Sequence, residues 1–192
     1  MPSPVGHSLI GLAFAAGRFA PRGSWRSVGR GLWRERLGVF LVVAMANAPD
    51  VDYIPGILAG GLNQYHQLYT HTVGWALAIS FAVWMLWKSR RAGVGWAGWV
   101  LLLAAVVSHL LADYVTADAK EPYGIMIFWP FSNGFHTSPV SIFRGFLKRD
   151  WGDIPSLYNA KTVLVELGWC LPLVLGVLLW KRRKVEDSGL SG

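Results

Sequence analysis

The sequence predicts an all-α, membrane-embedded helical bundle of about five apolar helices, two of them short, with an ordered extracytoplasmic loop. Three observations carry that expectation. Only 15% of the 192 residues are charged while 53% are hydrophobic, whereas soluble domains carry about a quarter charged residues. Mean hydropathy is positive, at +0.37. Apolar runs recur at roughly 8–17, 37–48, 72–87, 94–112 and 163–180, separated by charged or turn-forming residues. The length suits one domain over 1–192, with residues 181–192, KRRKVEDSGLSG, as a polar cytoplasmic tail.

Each run has its own boundary chemistry. The first is only about three turns long and lies between His7 and Arg18. The N-terminus has no basic n-region, so it is not read as a signal peptide. A second short run follows the basic stretch RFAPRGSWRSVGRGLWRER and stops at APDVDY, where Pro49 disturbs a helix. The third is expected to start with Thr70 as its cap and His71 as its first residue, leaving His66 in the loop before it. It ends at KSRR, and a tight turn leads into the fourth, which closes on SHLLADY. The fifth runs from near Glu166 to KRRK and contains Pro172, a residue membrane helices tolerate as a kink. Only the last three runs approach the ~20 residues that cross a bilayer unaided. Residues from about 114 to 160, rich in Pro, Gly, Asn and Asp, read as an ordered loop with short helices.

Charge gives these runs a common polarity. Every run has one basic end and one end bearing His or acid. If each crosses, thirteen of the eighteen Lys and Arg share one side with three of the eleven acids, and all five His lie opposite with the other acids. The positive-inside rule puts the basic ends in the cytoplasm, the N-terminus outside and the C-terminus inside. The net charge of +7 is thereby accounted for by topology and anionic headgroups. The basic residues are split among three loops, so no nucleic-acid partner is expected. Cys170, the sole cysteine, lies in an apolar run, which excludes a disulfide framework or a thiolate metal site.

Four clusters converge on the acidic side: His7, Asp50 with Asp52, His66 with His71, and His109 with Asp113. His109 and Asp113 are four apart, on one face of a helix. Imidazole and carboxylate are ligand types for zinc, manganese or iron(II), and ionisable groups in a membrane helix are costly unless partnered. Asp50 and Asp52, two apart, would face one way in an extended stretch. Each residue alone has an ordinary structural reading; it is their convergence that points to a metal site. His136 and Glu166 are further candidates.

The segments GHSLIGLAF, NAPDVDY, HQLYTHTVGWAL and SHLLADYVTADAKEPYGIMIFWPFS follow, in order, the pattern of the YdjM-like family of bacterial and archaeal inner-membrane proteins. That pattern is His-Ser, Pro-Asp-x-Asp, a His before Thr-His-Ser, His-x-x-x-Asp, and a Trp-Pro-Phe-Ser-like stretch. The resemblance covers roughly residues 6 to 136, with Gln67 where Arg is common, Thr72 where Ser is usual, and extra residues before Pro-Tyr-Gly. It implies a membrane-bound, metal-dependent hydrolase. The ligand order is also similar, less closely, to that of the zinc-dependent phospholipase C and nuclease group, which suggests phosphoester hydrolysis.

The expected cofactor is a divalent metal, zinc first, with manganese or iron as alternatives. Asp50, His71, His109 and Asp113 are expected as its core ligands with His7 as a further one. Asp52 and His66 are expected as the catalytic pair, as general base, orienting group or second-ion ligands. Ser8 and Thr72 are candidate binders of phosphoryl oxygens. The aromatic rim PYGIMIFWPF suits a lipid headgroup or another small phosphoester as substrate at the membrane surface. The competing readings are a cation or proton transporter using the same His and Asp residues, and a non-enzymatic membrane scaffold stapled by metal. The sequence gives no oligomeric state.

Overall fold

A computed structural model describes residues 1–62, 65–118 and 123–182. The polar tail beyond Arg182 and most of the extra residues before Pro-Tyr-Gly therefore lie outside the described residues. The chain is mostly helical. Helix α1 (Pro4–Phe19) opens on Ser3, whose Oγ accepts a hydrogen bond from the Val5 amide at 3.2 Å, with Pro4 in the first turn. It starts before the apolar run because this cap, not hydrophobicity, sets its beginning, and His7 thus falls in its first turns.

Helix α2 (Trp25–Arg34) lies in the basic stretch read above as a connection. Ser24 caps it through the Ser27 amide at 3.3 Å, and only Val28 is buried. Its Trp and Arg residues give it an amphipathic character but no apolar run, so hydropathy does not reveal it. Helix α3 (Arg36–Ala46) continues through a 3₁₀ turn, Ala48–Asp52, into the short α4 (Tyr53–Leu58), with a bend of 63°. Pro49 lies in that break. Asp50 and Asp52 consequently sit in a tight helical turn and not in the extended stretch expected.

Helix α5 (Val73–Arg90) is capped by Thr72, whose Oγ1 accepts from the Trp75 amide at 3.1 Å and donates to the Tyr69 carbonyl at 3.0 Å. Thr72, and not Thr70, is the cap, and His71 precedes the helix in a 3₁₀ turn, Tyr69–His71. Helix α6 (Trp96–Tyr114) matches its run closely. Helix α7 (Leu157–Arg182) begins six residues before its apolar run and carries Pro172 in its interior. Helices α6 and α7 are long and apolar enough to cross a membrane, and α3 with its bent continuation could supply a third span. The long loop holds a two-residue parallel pairing of β1 (Thr116–Ala117) with β2 (Phe143–Arg144), a bridge between Ile125 and His136, and one 3₁₀ turn, Trp151–Asp153.

Helix α1 packs on α3 and α7, and α6 packs on α3 and α5. Their shared core holds Leu102, Ala105, Val106 and Leu110 of α6, Val42, Met45 and Ala46 of α3, Ala15 of α1, and Ala76, Trp84 and Trp87 of α5. The α1–α3 approach is close: a Cβ on Gly11 would meet the Ala46 Cβ at 2.8 Å and the Val43 Cα at 3.1 Å. The two ends of the bundle differ chemically. At one end Arg91 pairs with Glu35 at 2.6 Å, Arg182 lies over Trp25, and Arg22 lies over Trp180. At the other end α1, the α3–α4 turn, the start of α5 and the end of α6 deliver their histidines and aspartates to one place.

Candidate metal centre

His109 and Asp113 project from the last turns of α6, one helical turn apart, and both are buried. His109 Nε2 lies 3.3 Å from Asp113 Oδ2. Its Nδ1 is 2.8 Å from the carbonyl oxygen of Ala46 at the end of α3. A carbonyl only accepts, so the proton sits on Nδ1 and Nε2 is left with a lone pair. His71 arrives from the turn before α5. Its Nε2 is 3.3 Å from His109 Nε2 and 3.4 Å from Asp113 Oδ2. Asp50, carried by the 3₁₀ turn, brings Oδ1 to 3.8 Å from His71 Nε2 and 3.7 Å from His109 Nε2.

These separations suit an ion. Ligand atoms held at zinc's usual ~2.0–2.1 Å in tetrahedral geometry are about 3.3–3.4 Å from one another. The hydrogen-bond inventory agrees. Both oxygens of Asp50 and of Asp113 are buried without a hydrogen-bond donor among the described residues, as are both ring nitrogens of His7. Buried polar atoms are ordinarily satisfied, so four orphaned carboxylate oxygens facing imidazole nitrogens match a cation-binding donor set. His7 stacks on His109 with ring centroids 3.7 Å apart, its Nε2 3.4 Å from Asp113 Oδ1. The His7–Asp50–His109, Asp50–His66–His71 and His71–His109–Asp113 groups are each compact enough to hold a metal ion.

Asp52 has a different place. Its carboxylate accepts from Thr70 Oγ1 at 2.8 Å and the Gln67 amide at 3.2 Å, and lies 2.8 Å from His66 Nδ1 and 3.2 Å from His71 Nδ1. One carboxylate thereby orients two imidazoles, holding their protons on Nδ1. For His71 this leaves Nε2 toward Asp50 and Asp113. Burial opposes a charge on His71, but Asp113 and Asp52 outweigh it and raise its pKa to about 9. For His66 the arrangement turns Nε2 away from the His71–His109 pair, toward Tyr53, Lys148 and the sulfur of Met1. Burial and the Lys148 charge push the His66 pKa well down, so this ring is neutral.

Tyr53 and Lys148 were not anticipated from the sequence. Tyr53 closes the quoted NAPDVDY segment, and its ring stacks on His66 at 4.2 Å. Lys148 comes from an irregular loop, where no periodicity marks it. Its Nζ lies 2.9 Å from His66 Nε2 and contacts the Tyr53 hydroxyl. Burial draws its pKa down to about 8 against the pull of the nearby aspartates.

Other candidates fall elsewhere. Glu166 accepts from the Ser3 amide at 2.6 Å, the Gly6 amide at 3.2 Å and the Ser3 hydroxyl, locking α7 to the start of α1. His136 sits edge-on to Phe128 at 5.1 Å, outside the cluster. Ser8 Oγ accepts from Asn47 Nδ2 at 3.1 Å, and the Thr72 hydroxyl caps α5 and donates to the Tyr69 carbonyl.

Fold and centre together define a helical membrane protein that carries, at one end of its bundle, a buried imidazole–carboxylate cluster able to hold a metal ion. The chain matches the family described as YdjM inner membrane protein over residues 1–185, and it belongs to that family. It is 26% identical over 190 residues to the inner membrane protein YbcI of Escherichia coli (strain K12), an alignment spanning 95% of this chain and 100% of the relative. No solved structure matches.

Proposed function

We propose that this protein is a membrane-bound, metal-dependent hydrolase acting on a phosphoester, with a lipid headgroup as one source of substrate. The observation that carries this reading is the set of undonated Asp50 and Asp113 oxygens facing the Nε2 atoms of His71 and His109. These four residues would hold the ion, with His7 beside them. The donor set is imidazole and carboxylate without thiolate, which suits zinc and also admits manganese or iron(II). A bound divalent ion supplies Lewis-acid polarisation of a phosphoryl oxygen and acidifies water.

The chain's own residues supply the rest. Hydrolysis joins a water oxygen to phosphorus, breaks the phosphorus–oxygen ester bond, and sends the leaving oxygen away with a proton. His66, neutral and fixed by Asp52, turns its Nε2 to Lys148 and Tyr53, so its role is to position those two groups beside the ion-holding residues. Asp52 keeps that ring in the acceptor tautomer and turns the Nε2 of His71 toward the ion. The basic end of the bundle supports a cytoplasmic orientation for that end, with the centre at the outer surface of the inner membrane.

Metal analysis of detergent-purified protein, wild type beside His109→Ala, tests this, with both assayed on phosphoester and lipid substrates. Stoichiometric metal and hydrolysis in wild type, and loss of both in His109→Ala, are expected; equal metal content in the two proteins overturns the ligand assignment. One observation favours a second reading. His71 and His109 are fully buried, and structural metal sites are closed whereas catalytic ones keep an open position. Wild type that retains metal but hydrolyses no phosphoester would make the centre a staple for the helices.

A further inference from the structure

Lys148 is the Lys or Arg side chain that contacts the His66 side of the cluster among the described residues, and its environment is unusual. Asp50, Asp52, Asp113 and Asp118 all lie in this part of the molecule, yet Lys148 forms no ion pair with any of them. Its Nζ instead meets two neutral groups, His66 Nε2 at 2.9 Å and the Tyr53 hydroxyl, while lying 4.8 Å from the Tyr53 ring centroid. A lysine placed only to neutralise acids would be expected against a carboxylate. This one is braced by an imidazole that Asp52 holds as an acceptor and by a stacked phenol.

The donor count then matters. An ammonium has three N–H groups, and His66 and Tyr53 take two. The Tyr53 hydroxyl, accepting from Lys148, directs its proton at the Met1 sulfur 3.5 Å away, a weak acceptor that a phosphoryl oxygen would displace. A positive charge with one N–H to spare therefore adjoins a hydroxyl whose present acceptor is weak. The pair adjoins the metal centre: the His66 ring meets the His71 ring edge-on at 4.9 Å, and His66 Nδ1 is 4.0 Å from Asp50 Oδ1.

We propose that Lys148 and Tyr53 form an anion subsite that takes an oxygen of a phosphoryl group beside the metal centre. This rests on the phosphoester reading above and narrows it to an anionic substrate. Cation and hydroxyl together recognise a phosphoryl oxygen by charge-assisted hydrogen bonds, and an uncharged ester would leave the ammonium unanswered. The subsite lies at the His/Asp end of the bundle, so headgroup phosphate and a soluble phosphoester share the required chemistry.

The experiment titrates inorganic phosphate into the full-length, detergent-purified protein by calorimetry, with metal content measured on the same samples. Lys148→Gln is expected to weaken phosphate binding about tenfold or more, the scale of one lost charge-assisted contact, at unchanged metal content. Lys148→Arg should stay near wild type. Wild type that binds no phosphate, or Lys148→Gln that binds it as wild type does, overturns the subsite. If Lys148→Gln does not fold, Tyr53→Phe carries the test: weaker binding supports the subsite and unchanged binding overturns it. Competition by short-chain phosphatidic acid assigns the subsite to a lipid headgroup, and phosphate binding without that competition assigns it to a soluble phosphoester. The hydrolase reading fails separately, when metal-loaded wild type cleaves no phosphoester while phosphate binding still depends on Lys148.

Discussion

At the scale of single residues, the centre depends on which nitrogen of each imidazole carries the proton. For His109 the answer is written in backbone, through the Ala46 carbonyl, and no side-chain change can erase it. For His71 it rests on Asp52. Asp52→Asn keeps the shape but can present an amide N–H to His71 Nδ1, favouring the tautomer with its proton on Nε2, the nitrogen the ion needs. Such orienting partners are worth 10–100-fold in metal affinity, and a loss of about that size is expected in competition with a chelator, with little change in melting temperature. Unchanged affinity would show that His71 is oriented by something else. The ligand types were legible in the sequence as a convergence, since imidazoles and carboxylates gather at the same ends of several apolar runs although each alone has an ordinary structural use. The division of labour between Asp50 and Asp52 was not. Alternation in an extended strand would aim both one way, but a 3₁₀ turn has about three residues per turn, so neighbours two apart diverge and Asp52 reaches the far side of His71. Lys148 lay in an irregular loop, where spacing says nothing about proximity.

At the scale of elements, the position of α1 against α3 sets the centre as firmly as the ligands do. Helix α1 carries His7, and α3 ends on the Ala46 carbonyl that orients His109. Between them Gly11 leaves room for Ala46 and Val43, and an added Cβ would meet backbone and a buried methyl group. Neither can swing aside as a flexible side chain would. Gly11→Leu therefore drives α1 and α3 apart, at a cost of about 1–3 kcal/mol for overpacking. It should lower metal occupancy although Gly11 touches no ligand atom. A thermal melt and metal analysis of the same sample check this; normal occupancy with a lowered melting temperature would uncouple the helix contact from the centre. The sequence showed the elements that bury a continuous apolar face, α3, α5 and α6, because burial and hydropathy coincide there. It hid α2, whose single buried residue leaves no run to see. It also misplaced the start of α7, where Asn159 and Thr162, both polar, are buried beneath the loop.

At the scale of the whole molecule, most cationic groups lie away from the His/Asp centre, and Asp50, Asp52 and Asp113 there outnumber Lys148, which leaves the centre with an excess of carboxylates. In metal-free protein a proton answers that excess: His71 holds it until pH about 9, against an ordinary 6.5. A raised folded-state pKa contributes stability that is fully present below about 6.5 and is lost as pH rises through 9. A metal ion works in the other direction, because it requires the unprotonated Nε2 and must displace that proton. The two forms should therefore diverge as pH rises. Between pH 6.5 and 9 metal-free protein is expected to lose thermal stability while apparent metal affinity rises by about tenfold per pH unit, the slope of a one-proton exchange. The rise in melting temperature on adding metal is then smallest near pH 6.5 and largest near pH 9. Melts with chelator and with metal across that range, together with calorimetry in buffers of different ionisation enthalpy, read both the divergence and the proton released. A metal-induced shift independent of pH, with no proton released, would mean that the ion binds away from His71, and that the carboxylate excess at this end of the bundle is balanced by some other group.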